Sequence, residues 1–299
     1  MIEPRHATFQ SRHATSPDGL RIGYQVTEAP FAGAPAVVLA GRLGGQPRAW
    51  QAQVAYLGDR FRFVSWTYRG TLRSAEPKPA SPESYATARQ LADLQAVLAA
   101  ESIGELALVG WGTGARVALA AWRAMAPRIR CLVLINPLGP SLPPGFVLPR
   151  IAAWAAAWVG GRGRGQNLAV AAARAAGRDV ALAAWLVRIG AISPRLDPAA
   201  LEVLRAEIAE VDPVVLLRTA HALSLDGEPQ SLGAVNAPAL LLAGGRDPIA
   251  PAAVAQQLAR SLPRAQIVVV PRAQHHLCLE YPDLVNLEIE RFFSHVGLC

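Results

Sequence analysis

The sequence predicts an α/β fold: a mostly parallel central sheet with helices on both faces and a helical segment inserted into it. Three observations carry this prediction. Near-continuous apolar runs such as "PAVVLA" and "CLVLINP" read as strands buried on both sides, which is what a parallel sheet requires. Most of these runs lead into a stretch with helical spacing, so strand and helix alternate. From Leu138 to about Leu232 the alternation stops and only helical patterns remain, after which it resumes.

The elements follow in order. Alternation in "LRIGYQV" after the "PDG" turn predicts an early antiparallel hairpin, with Phe9–Ser11 pairing near Leu20–Val26. "PAVVLA" (Pro35–Ala40) is a strand that leads to a helix around Trp50–Leu57. "FRFVSW" (Phe61–Trp66) leads, after a long loop, to the helical pattern of "SYATARQLADLQAVLAAESI". "LALVGW" precedes a helix beginning near Thr113, and "CLVLINP" (Cys131–Pro137) is the next strand. Inside the insertion, "LAVAAARAAG" and "DPVVLLRTAHAL" have helical patterns. "NAPALLLAGGRD" and "AQIVVVP" (Ala265–Pro271) restore the strands, and a last helix runs from Pro282 to His295. The expected division is a core of residues 1–137 and 233–299 with a helical cap of residues 138–232.

Composition narrows the function classes. A chain of 299 residues with 52% hydrophobic content can bury a substantial core. The net charge of +7 is almost wholly arginine, Lys78 being the only lysine. The arginines are spread along the chain, which argues against a nucleic-acid surface, and "GGRGRG" (Gly160–Gly165) reads as a flexible connection. Cys131, Cys278 and Cys299 form no CxxC pair, so neither a disulfide framework nor a zinc site is expected. The N-terminus lacks an apolar h-region, which predicts no signal peptide. The most apolar tract, from Phe146, contains Pro149 and Arg150 and is too short to span a bilayer. The expectation is a cytoplasmic protein that uses no cofactor or metal and engages neither nucleic acid nor membrane.

The chemistry-bearing motifs sit where strands end. "GWGTG" (Gly110–Gly114) lies between the strand "LALVGW" and its helix, with the glycine frame of a G-x-S-x-G turn but no serine. "LLLAGGRDPIAP" follows a strand and carries Asp247, and "VVVPRAQHHLCLEYPD" follows the last strand and carries His275. "VVLAGRLGG" and "WTYRGTLRS" (Trp66–Ser74) follow two earlier strands. With these five segments the chain resembles the α/β-hydrolase fold family, essentially from end to end. The resemblance implies a lidded fold with Gly112 in the nucleophile position, Asp247 as the acid and His275 as the base. It also implies that the backbone N–H groups of Arg42 and Thr113 are the oxyanion donors.

Three positions depart from the family pattern. Ala40-Gly41 stands where the oxyanion loop usually has His-Gly, Thr67 where a turn of the form D-x-R-G-x-G-x-S opens with Asp, and Gly112 where the nucleophile belongs. Glycine enters a strained elbow almost freely, so losing the hydroxyl also relieves strain. Conventional serine esterase activity is therefore not expected. As alternatives, Thr113 is adjacent to the elbow, while Ser65 and Ser74 read as structural hydrogen bonders and Cys278 as a packed thiol. His276 is the alternative base, and Asp247 has Arg246 as an alternative local partner.

Two functions remain open on the sequence. A His275–Asp247 dyad can act as a general base on water or on an acidic C–H without a serine, giving hydrolase- or lyase-like chemistry on a small apolar carbonyl compound. The alternative is a non-catalytic protein that binds a small hydrophobic molecule. Trp154, Trp158, Trp185 and Leu217 would form the apolar roof of such a pocket or pack helix on helix. A scaffold that needs only its folded surface is a third reading.

Overall fold

The computed structural model describes residues 8–45, 47–138, 193, 196–210, 212–225 and 232–298. Eight strands form one sheet in the order β1-β2-β4-β3-β5-β6-β7-β8. They are β1 (Gln10–Thr15), β2 (Arg21–Val26), β3 (Ala36–Ala40), β4 (Arg62–Trp66), β5 (Leu106–Trp111), β6 (Ile129–Ile135), β7 (Ala239–Gly244) and β8 (Ala265–Val270). β2 pairs antiparallel with both β1 and β4, and β3 through β8 run parallel. The helices are α1 (Gln51–Leu57), α2 (Thr87–Ala100), α3 (Thr113–Met125), α4 (Pro198–Glu210), α5 (Pro213–Leu225), α6 (Ala252–Ser261), α7 (Leu277–Glu280) and α8 (Pro282–His295).

Residue parity along the strands builds both layers. Val38, Leu108, Leu132, Leu134 and Leu241 point into a cluster shared with Leu94 and Val97 of α2, Val117 of α3 and Ala255 of α6. Their neighbours Val37, Leu39, Val109, Val133 and Leu240 point the other way, onto Val54 of α1 and Ile289 and Phe293 of α8. Strands that are apolar at every position therefore serve two cores at once.

The hairpin is longer than its sequence pattern predicts. Gln10 to Thr15 pair with Val26 to Arg21, closed by a turn in which Ser16 N–H donates to the Leu20 carbonyl. Nearly all of β1 is exposed and polar, so the edge strand lacks the alternation that reveals a half-buried one. In the expected cap, α4 and α5 are helical. Trp154, Trp158 and Trp185 lie outside the described residues, as does the side chain of Leu217 on α5. Among the described residues no helix is long and apolar enough to cross a membrane.

Candidate active site

β5 ends at Trp111 and α3 begins at Thr113, so the whole change of direction falls on Gly112, with φ 59° and ψ −116°. That conformation is one that residues with a Cβ rarely enter. The flanking glycines serve close approach. A Cβ on Gly114 would lie 2.0 Å from the Ala40 carbonyl oxygen, and one on Gly110 would lie 2.6 Å from the Gly114 carbonyl oxygen. By contrast, a Cβ on Gly112 would meet only Arg42, whose Cβ lies 3.4 Å away. The turn at Gly112 is thus built with no side chain at its apex.

The loops after β7 and β8 bring Asp247 and His275 together. His275 Nδ1 donates to Asp247 Oδ2 at 2.8 Å, with the carboxylate fully buried and the imidazole 10% exposed. The other carboxylate oxygen, Oδ1, accepts the backbone N–H groups of Ile249 (2.7 Å) and Ala250 (2.8 Å). Both oxygens are thus engaged, and Asp247 pairs with His275 and not with Arg246. With its proton on Nδ1, a neutral His275 carries its lone pair on Nε2.

Two residues without a marked motif hold this loop. Asn136, just past β6, donates its amide to the carbonyls of Gln274 and His275, both at 2.9 Å, and accepts the Gly244 N–H at 2.7 Å. Glu280 accepts the N–H groups of Gln274 (2.9 Å) and His276 (3.0 Å), and burial pushes its carboxyl above the usual range. A polar residue directly after an apolar strand is the signal that could have singled out Asn136. Trp111 also donates its indole N–H to the His275 carbonyl at 3.3 Å, tying the elbow to the histidine loop.

The loop after β3 lies against the elbow. Thr113 Oγ1 accepts the Leu43 N–H at 2.7 Å, and the Tyr68 hydroxyl donates to the Gly41 carbonyl at 2.8 Å. The Thr113 hydroxyl therefore has an anchoring partner. The Arg42 guanidinium pairs with Glu207 of α4 and lies over the Trp111 ring, 5.4 Å from its centre. At the turn after β4, the Thr67 hydroxyl lies 3.0 Å from the Gly23 carbonyl and 2.8 Å from Ser74 Oγ. Leu72, a fourth departure that the three singled out in the sequence do not include, stands in the second glycine position of that turn and takes φ 50°. Ser65 bonds the Leu39 carbonyl, and Ser74 donates to the Thr67 carbonyl. Cys278 is fully buried, which pushes its thiol up and leaves it a packed apolar group. His276 is also buried, with its ring edge-on to those of Trp111 and His275.

Residues 36–288 match the sequence profile of the alpha/beta hydrolase family. A protein of Klebsiella pneumoniae described as "Putative carbamate hydrolase RutD" is 30% identical over 268 residues, which span 87% of this chain and 92% of that one. A thermophilic esterase from Thermogutta terrifontis superposes with a TM-score of 0.76 at 23% identity, over 96% of this chain and 99% of the esterase. The enol-lactonase from Burkholderia xenovorans gives 0.72 at 23% identity, over 95% and 100% of the two chains. At such identities the two structures speak for the fold alone. The profile match opens on the first residue of β3, closes inside α8 and takes in every strand but the first two, so the chain belongs to the alpha/beta hydrolase family.

Proposed function

We propose that this protein hydrolyses a small carbonyl compound by general-base activation of water, with no covalent acyl-enzyme. The observation that carries the reading is the 2.8 Å bond from His275 Nδ1 to Asp247 Oδ2 in a chain whose elbow apex is Gly112. In this scheme His275 Nε2 takes a proton from water, and the resulting hydroxide attacks the carbonyl carbon. The backbone N–H groups of Arg42 and Thr113 receive the developing oxyanion. His275 then returns the proton to the leaving nitrogen or oxygen as the carbon–heteroatom bond breaks, while Asp247 stabilises the transient imidazolium. The description of the relative from Klebsiella pneumoniae supports a carbamate as the substrate class.

The test is turnover of a panel of small carbamates, amides and esters by the wild type, His275→Gln and Asp247→Asn, with intact-mass analysis during turnover. The expected result is wild-type turnover that falls by about 100-fold or more in His275→Gln, the scale of general acid–base catalysis, with no mass adduct. Undiminished turnover in His275→Gln, or a stoichiometric acyl adduct, overturns the scheme. A wild type that turns over nothing but binds a hydrophobic small molecule favours the non-catalytic reading.

A further inference from the structure

The Arg42 side chain starts beside the place left open by the missing nucleophile and carries its charge over the Trp111 ring to Glu207. Its Cβ lies 3.4 Å from where a side chain on Gly112 would begin. Only 13% of the Arg42 side chain is exposed, and its partner Glu207 is buried to 1%. A guanidinium offers five N–H donors in a planar fork matched to carboxylate oxygens. Here Nη2 donates to Glu207, whereas Nε is buried and meets no acceptor among the described residues. Leaving a buried donor unmet costs about 1–3 kcal/mol, and more for a charged group. An acceptor that reached this atom as the ion pair opened would therefore be favoured. A wholly apolar ligand would do the reverse, stripping water from the guanidinium and returning no hydrogen bond.

We infer that Arg42 is the specificity-determining residue of this site, that the ligand is a small anion with a carboxylate-type group, and that the Glu207 carboxylate occupies the ligand's place on Arg42 until the ligand arrives. The inference rests on the reading of this site as one that handles a small carbonyl compound, and it narrows that compound to a charged one. A carbamate anion fits the class, because its planar CO2 group has the geometry and charge of the Glu207 carboxylate. The glutamate comes from the cap-side helix α4, so exchanging it for a ligand also releases a contact between cap and core.

The experiment is calorimetric titration of the full chain with acetate, which is isosteric with the carbamate anion, and with acetamide, its neutral counterpart. The expected result is saturable one-site binding of acetate and none of acetamide. Arg42→Leu should weaken acetate binding by about tenfold or more, the value of a hydrogen bond to a charged group. Arg42→Lys keeps the charge but loses the fork, should bind with intermediate affinity, and keeps the test decisive if the leucine variant folds poorly. Glu207→Gln removes the competing carboxylate and should tighten acetate about threefold or more, a coupling of ordinary size between groups that contact one another. No saturable acetate binding in the wild type, equal binding of acetamide, or wild-type affinity in both Arg42 variants overturns the inference. Unchanged or weaker binding in Glu207→Gln overturns the placeholder role of Glu207. The readout is binding, so the two readings fail separately. Lost acetate binding with His275-dependent turnover intact sinks this inference alone, and acetate binding without turnover of any carbonyl compound sinks the hydrolytic scheme alone.

Discussion

The Asn136 side-chain amide donates to the His275 carbonyl at 2.9 Å, and it does so from a backbone with φ 42°. Asparagine tolerates this left-handed conformation better than most residues. The same amide also holds Gln274 and Gly244, so one side chain spans the ends of three loops, those after β6, β7 and β8. Asn136 thus holds the backbone that carries His275, with its own hydrogen bonds going to neither the ring nor the Asp247 carboxylate.

Asn136→Ala should leave the part-buried Gln274 carbonyl and the buried Gly244 N–H unmet, while the His275 carbonyl keeps the Trp111 indole N–H. At about 1–3 kcal/mol for each unmet group, softened by relaxation, the expected loss of stability is roughly 3 kcal/mol. Urea denaturation measures it. A loss below about 0.5 kcal/mol, the scale of an ordinary surface change, would mean that the histidine loop is held by other contacts.

Gly112→Ser has room for its Cβ, since the nearest atom is 3.4 Å away. The backbone at φ 59° and ψ −116° is the obstacle. The variant should lose about 1–3 kcal/mol of stability and become labelled by a fluorophosphonate at residue 112, whereas the wild type should remain unlabelled. Stoichiometric labelling of the wild type, or a folded variant that neither labels nor loses stability, contradicts this account of the elbow.

Gly114→Ala is the contrasting case. Its Cβ would be driven to 2.0 Å from the Ala40 carbonyl oxygen, backbone against backbone, so β3 and α3 must separate. Roughly 3 kcal/mol or more should be lost, at the severe end of overpacking. Thermal unfolding that matches the wild type would show that the two elements are not in the contact described.

Tyr24 gives a pH dependence with a definite sign. Burial first, and then the 2.5 Å hydrogen bond to Glu101, raise its phenol from 10.0 to about 12. Between those values the folded state holds a proton that the unfolded state has released, so stability falls as pH rises from 10 to 12. Tyr24→Phe should be less stable at neutral pH and should show a shallower alkaline decline. Denaturation midpoints at a series of pH values decide it, and parallel profiles would remove Tyr24 as the source.

Strand positions were legible because the central parallel strands are apolar at nearly every residue, a signal that needs no knowledge of partners. β3, β5 and β7 lie where "PAVVLA", "LALVGW" and "ALLLAG" put them, and α8 runs from Pro282 to His295 as its spacing predicts. β1 was only partly legible, because an exposed polar edge strand draws its definition from its neighbour β2. The glycine frame around residue 112 was legible as well, although sequence spacing could not tell its glycines apart. Gly112 is needed for its φ, while Gly110 and Gly114 are needed for closeness to atoms on other elements.

By itself the sequence determined the order of strands and helices, the loops that carry Gly112, Asp247 and His275, and the absence of a hydroxyl at the elbow. These are local properties, written in periodicity and in residue identity. Only the tertiary structure decided that Asp247 faces His275 rather than its neighbour Arg246, that Asn136 braces the histidine loop, and that Arg42 meets Glu207 from 165 residues away. Such pairings depend on how the twisted sheet aligns its loop ends and on where helices such as α4 land. No short-range pattern encodes a partner that packing brings from the far end of the chain.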